Sequence, residues 1–241
     1  MPAVNLKAAT KVYCSIFFDL NVRCLLCGQA PGGLLCHPCL SLLAPIEPPV
    51  CRCGLPHAAP LEDQDEAPLC GRCLRRPPAF SASQSPLQYR FPLDLLIRRY
   101  KHHGDLVAER AIEQLLARAP LPWPDTDALC PLPAHWRRRW RRGFDQSERL
   151  ARRLASLWDR PLLSALQRQR FTPMQQGLSR RQRQRNLRQA FRPVKDVRGL
   201  RLVLVDDVMT TGSSARAAAD CLLKQGAAEV RVWTLARTPA P

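Results

Sequence analysis

At 241 residues and 46% hydrophobic content, the chain is long enough for one ordinary α/β domain plus a small accessory module. It has no apolar run able to span a bilayer, and its short N-terminal apolar stretch from Ser15 to Phe18 ends at Asp19, a poor secretory signal. A cytoplasmic protein with no membrane insertion is therefore expected, and in that reducing setting eleven cysteines point to metal rather than disulfides. The formal net charge of +17 is concentrated, because residues 135–201 carry 20 Lys and Arg against 4 Asp and Glu. Such a segment suits polyanions: pyrophosphate, nucleotides or nucleic acid.

In chain order, the head comes first. Cys24-x2-Cys27 and Cys36-x2-Cys39 form two knuckles, and each supplies two sulfurs to one side of a tetrahedral zinc ion. A second set follows at Cys51, Cys53, Cys70 and Cys73. Its first pair is one residue shorter than the standard knuckle, so His57 is an alternative to Cys51 in closing this second zinc site. Cys14, Cys130 and Cys221 lie outside these patterns and are expected to be buried thiols. The acidic stretch 58–68 reads as a linker between the two sets, and Pro77-Pro78 as the boundary between a Cys-rich module over residues 1–80 and a second domain over 81–241.

In the second domain, Leu87–Phe91 reads as an edge strand. Helices are expected over Leu93–Tyr100 and Leu106–Arg118, then a short strand over Ala128–Leu132, whose end is placed to touch pyrophosphate. Trp136 to Arg142 interleaves five arginines with two tryptophans, a composition that can stack on bases and hold phosphates, or simply form a solvated loop. An amphipathic helix is expected over Ser147–Trp158, a loop over Phe171–Gly177, and over Leu178–Ala190 a very basic helix or a segment that orders on binding.

The stretch that organises the domain is Leu202 to Ser214. Leu202–Val205 reads as a buried strand, followed at once by Asp206 and Asp207. A loop of Thr210, Thr211, Gly212, Ser213 and Ser214 comes next, then a helix over Ala215–Gln225 with Ser213 or Ser214 as its N-cap and Gly226 beyond its end. Val230–Leu235 is the next strand. Open N–H groups at a helix start favour a phosphate, Gly212 lets the backbone approach it, and the hydroxyls add donors. Two carboxylates beside that cradle repel a second phosphate but accept hydrogen bonds from sugar hydroxyls. Together they describe a ribose 5-phosphate site at the C-terminal edge of a parallel sheet. A receiver domain also has a strand ending in paired acids, but it needs several further βα units and only 34 residues follow Asp207. A structural turn with a solvated acidic pair is the plain alternative.

Val205 to Ser213 resembles the phosphoribosyl-pyrophosphate (PRPP) motif of type I phosphoribosyltransferases. The resemblance implies that Asp206 and Asp207 hold the ribose 2′- and 3′-hydroxyls, and that Thr210, Thr211, Gly212 and Ser213 wrap the 5′-phosphate. The wider set also resembles one family: the cysteine knuckles, Leu96-Ile97-x3-Lys101, Arg142-Gly143-Phe144-Asp145-Gln146-Ser147, Thr172 to Ser179, and Arg185-Asn186-Leu187-x2-Ala190-Phe191. That is the ComF/GntX family, and the likeness runs from about Cys24 to Thr238. It implies an α/β fold of type I phosphoribosyltransferase character, a parallel sheet flanked by helices, behind an N-terminal zinc ribbon. It also implies Mg²⁺ acting with PRPP and a role in competence or DNA uptake. Lys101, Arg141 and Arg142 are the candidates for the pyrophosphate, and Asp206 and Asp207 for the catalytic acids. Single-stranded DNA along residues 135–201 and a DNA-import helicase are candidate partners. The chain departs from the family pattern at Cys51-x-Cys53, at Asp145 in place of Asn, and at Tyr100-Lys101-His102.

Overall fold

The computed structural model describes residues 23–29, 33–56, 69–103, 105–134, 140, 143–169 and 190–239. In the head, two one-turn helices, α1 (His37–Ser41) and α2 (Gly71–Arg75), each start directly after a knuckle cysteine, Cys36 and Cys70. The chain continues with β1 (Ser83–Gln84), β2 (Leu87–Gln88), α3 (Leu93–His103), α4 (Leu106–Leu116), β3 (Ala128–Pro131) and α5 (Gln146–Leu157). It ends with β4 (Leu166–Arg168), β5 (Phe191–Pro193), β6 (Arg201–Met209), α6 (Ser213–Lys224) and β7 (Glu229–Arg237).

The sheet is parallel throughout. β6 lies between β3 and β7, and β1 and β2 lie in turn along the far edge of β7. β4 and β5 pair separately as an antiparallel arm. A parallel sheet must be covered on both faces, and β6 shows how. Val203 and Val205 face a core built with α3, α4 and α5, through Leu96, Ile97, Ile112 and Leu154. Leu202 and Leu204 face the other core, packed by α6 through Ala218, Ala219 and Leu222. The alternation slips at the acid pair: Val208 packs on the side of Val203 and Val205, and Met209 on the opposite side. Strict alternation would send adjacent side chains to opposite faces. The slip lets both carboxylates reach the α3 and α5 end of the sheet.

Several expectations shift by a few residues. The motif strand does not stop at Val205; it continues through both acids to Met209, because β7 supplies partners that far, up to Met209 opposite Arg237. The helix after it starts at Ser213, two residues early. Its N-cap is Gly212, at φ +70° and with no side-chain cap bond, so neither Ser213 nor Ser214 caps it. Only glycine takes that left-handed conformation at no steric cost. Gly226 at φ +90° closes the helix as expected, with its N–H on Leu223 O and that of Ala227 on Leu222 O. The edge strand at Leu87–Phe91 shrinks to two residues, and β1, β4 and β5 were not anticipated. Cys130 is fully buried and Cys221 packs at the rim of the same core. Cys14, His57, the 58–68 linker and the segment 171–189 lie outside the described residues.

Head and sheet are joined by backbone bonds: Gln88 N–H donates to Ala44 O and Ile46 N–H to Pro86 O. No described helix is long and apolar enough to cross a membrane.

Candidate functional site

The C-terminal end of β6 brings most of the expected residues together. Asp207 is 7% exposed and pairs with Lys101 of α3, with Nζ 3.0 Å from Oδ2. Asp206 Oδ1 accepts from Ser147 Oγ at 2.7 Å and from the Asp207 N–H at 2.9 Å. Burial raises the Asp206 carboxyl to about 7 and the neighbouring Asp207 charge adds to this, while the Ser147 hydroxyl and Lys101 pull the other way. The acids are thus held at the rim of the packed interior, each against a polar side chain. A carboxylate has about four acceptor positions, so the one or two donors on each leave room for sugar hydroxyls.

The wall opposite the loop was named in the sequence only as a motif, without roles. Asp145 caps α5 through the Glu148 N–H at 3.5 Å, and its other oxygen takes the Ala134 N–H at 2.9 Å, tying the chain beyond β3 to the helix start. Gln146 Nε2 donates to Lys101 O at 3.4 Å and Tyr100 Oη to Gln146 O at 3.3 Å, which fixes the end of α3 that carries Lys101. Asp145, Gln146 and Ser147 are all buried polar residues. The signal available in the sequence was an Asp-Gln-Ser run at the expected start of an amphipathic helix, where such residues cap.

The loop itself is exposed at Thr210 and Thr211. Thr211 Oγ1 and Ser213 Oγ lie 2.8 Å apart, and Thr211 Oγ1 also accepts the Ser213 N–H at 3.3 Å. Ser214 follows in the first turn of α6. Behind the loop stands a residue that sequence reasoning passed over: Arg237, buried, which donates to Met209 O at 2.9 Å and to Thr210 O. A trans peptide points its C=O and the next N–H in opposite directions. Carbonyls of Met209 and Thr210 drawn inward therefore turn the N–H groups of Thr210 and Thr211 outward. Arg141, Arg142 and the side chains of His102 and His103 lie outside the described residues, while Trp140 is 86% exposed.

Both cysteine sets converge. The thiols of Cys24, Cys27, Cys36 and Cys39 lie within 4.8 Å of one another, as do those of Cys51, Cys53, Cys70 and Cys73. Cys27–Cys36, Cys51–Cys53 and Cys53–Cys70 are each 3.7 Å between sulfurs. Zn–S bonds of about 2.3 Å in a tetrahedron require S···S edges of about 3.8 Å, so both donor sets fit zinc. The short Cys51-x-Cys53 spacing thus closes without help from His57. Amide donors complete the knuckles. Burial pushes the Cys24 thiol up, but N–H groups of Cys36, Cys27 and Leu26 outweigh it and bring it down to about 6.

Comparison with known proteins gives two family matches along the chain. Residues 19–74 match the double zinc ribbon domain and residues 141–241 the phosphoribosyl transferase domain. The chain is 41% identical over 197 residues to DNA utilization protein YhgH of Salmonella typhi, covering 78% of this chain and 83% of that one. It is 33% identical over 232 residues to Competence protein F of Haemophilus influenzae, covering 90% and 97%. Competence protein ComFC of Bacillus subtilis is 28% identical over 220 residues, covering 86% of each. The ribbon match and the two thiol clusters support zinc.

Proposed function

The chain belongs to the ComF/GntX family of competence-related, phosphoribosyltransferase-like proteins, and on that premise we propose that it binds PRPP, or another ribose 5-phosphate compound, at the end of β6 and transfers the phosphoribosyl group. The observation that carries this reading is the pairing of a partly buried acid couple with a Gly212-started helix loop on one strand tip. Asp206 and Asp207 accept from the sugar hydroxyls. Thr210, Thr211, Gly212, Ser213 and Ser214 wrap the 5′-phosphate, where loop amides and the α6 dipole favour an anion. Lys101 leaves Asp207 for the pyrophosphate once the sugar takes its place, and Arg141 and Arg142 join it there. Mg²⁺ arriving with PRPP would neutralise charge on the leaving pyrophosphate. The chain's own contribution is positioning and charge stabilisation, as a nucleophile displaces pyrophosphate at C1 of the ribose. The eight clustered cysteines hold two zinc ions in a head spanning residues 1–80, with the transferase-like domain over 81–241.

Titration calorimetry with PRPP and Mg²⁺ tests the site: wild type should bind, and an Asp206→Ala, Asp207→Ala double variant should not. Undiminished binding by the double variant rejects the assignment. Pyrophosphate release on adding candidate bases tests transfer.

A second reading is favoured by the concentration of charge in 135–201 and by exposed Trp140. In it the protein binds single-stranded DNA, senses PRPP without turnover, and serves a DNA-import partner such as a helicase. DNA affinity would then fall steeply with salt. PRPP binding with no pyrophosphate release under any acceptor would favour this reading over transfer.

A further inference from the structure

The second cysteine cluster and the phosphate loop are built against each other. Arg237, the last residue of β7, is 4% exposed, and its guanidinium is spent on backbone carbonyls. Nε donates to Cys53 O at 3.0 Å, and Nη1 to Met209, Thr210 and Thr238. One planar donor fork thus joins a knuckle of the second cluster to the residues that open the loop. Arg216 makes a separate bridge from the first turn of α6. Its Nη2 donates to Cys73 Sγ at 3.5 Å and its Nη1 to Arg76 O at 2.9 Å. Packing adds a third connection. A Cβ on Gly54 would lie 3.4 Å from Met209 Cε, and one on Gly212 would lie 3.5 Å from Met209 Sδ, so Met209 is wedged between knuckle and loop.

The charges also fit. Four thiolates around one divalent ion leave a net negative cluster, and two guanidinium groups stand on its loop side. The first cluster is placed otherwise. Its neighbours Leu25, Leu26, Leu34 and Leu40 pack on the core under α3, α4 and α5.

We propose that Arg237 and Arg216 are positioning residues that tie the aim of the phosphate-loop amides to closure of the second cysteine cluster around its metal, so that phosphate binding and zinc retention at that cluster favour each other. Such coupling is reciprocal by necessity. The ligand half of the inference rests on the phosphate site proposed above; the structural half does not.

Two measurements on the full zinc-loaded chain separate them. The first is amide exchange without ligand, read at Arg216, whose N–H donates to Gly212 O at 2.9 Å, and at Thr238, whose N–H donates to Met209 O at 3.1 Å. Cys70→Ser, which opens the second cluster, and Arg216→Gln should each speed this exchange by about tenfold, as local openings do when a support is lost. Cys36→Ser, in the first cluster, should leave it unchanged. Arg237→Lys should fall between, since one ammonium cannot span the fork; the partly exposed Arg216 gives a variant that keeps its fold if Arg237→Lys does not. Unchanged exchange in Cys70→Ser, or equal acceleration by both cysteine variants, overturns the proposal. The second is zinc release to a pyridylazo chelator with and without PRPP and Mg²⁺. Bound PRPP should slow one of the two zinc ions by about fivefold, the low end of usual coupling. Binding of PRPP with both release rates unchanged overturns the coupling. Failure of PRPP to bind at all overturns instead the ligand proposed above, and the exchange result still decides the structural half.

Discussion

Two cysteine clusters of the same composition sit in one small head, and different structures stand behind them. Around the first, leucines from the knuckles continue into the core under α3, α4 and α5, and Cys27 is open to solvent. Around the second, Cys51, Cys53 and Cys73 are buried, Cys53 O receives Arg237, and Cys73 Sγ receives Arg216. The same tetrahedral solution can therefore anchor a module to a domain or form the back wall of that domain's site. The difference lies in the outer contacts, which set ligand orientation in metal sites generally. The opposite wall of the site, α3 and α5 with Lys101, Asp145 and Ser147, is held by side-chain bonds and not by clustered cysteines.

The contrast is sharpest in zinc content and ligand affinity together. Cys73→Ser and Cys27→Ser should each lower bound zinc from two ions to one, measured by plasma emission. Only Cys73→Ser should also weaken PRPP binding, by about tenfold or more. Equal effects on affinity would erase the distinction between the clusters. On that opposite wall, Asp207→Asn strands the half-buried Lys101 ammonium and should cost about 2 kcal/mol in urea unfolding, whatever the zinc load of the second cluster. A cost that vanishes on removing zinc would show that the two walls are not independent. Asp145→Ala loses a helix cap and the Ala134 bond and should cost about 1 kcal/mol by the same assay.

A further effect concerns pH. The folded Asp206 carboxyl titrates at about 7, above its unfolded value, for burial first and the Asp207 charge second. Its contribution to stability is therefore complete below the ordinary aspartate range near pH 4 and is lost as pH rises through about 7. Asp206→Asn removes that slope, so thermal melts across this window should show the variant gaining on wild type as pH rises. Parallel melting curves would place Asp206 in a more solvated setting than its Ser147 contact implies.

Much of this was legible in the chain. Leu202–Val205, the acids, Gly212 and the Ala-rich helix announced a strand, loop and helix, because a buried parallel strand is continuously apolar and the special positions take few residue types. Paired cysteine spacing announced that both sets of thiols would converge. Three features were hidden. Extension of β6 to Met209 depends on partners in β7, which no local pattern encodes. β1, β4 and β5 are two or three residues long and carry no period to read. Arg237 looked like one more basic residue near the C-terminus, and its role arises only where Cys53, Met209 and Thr210, far apart in sequence, meet around it. Ser147 and Gln146 were visible as a motif, but what they hold is set by tertiary contact with Asp206 and Lys101.

The central claim is that one strand tip and the turn after it hold a sugar phosphate. The most direct measurement is amide-exchange mapping of the zinc-loaded chain with and without saturating PRPP and Mg²⁺. The account predicts protection concentrated in 206–216, with a smaller patch at the end of α3 around Lys101. Protection confined to the basic segment 135–201, with 206–216 exchanging as in the free protein, would contradict it.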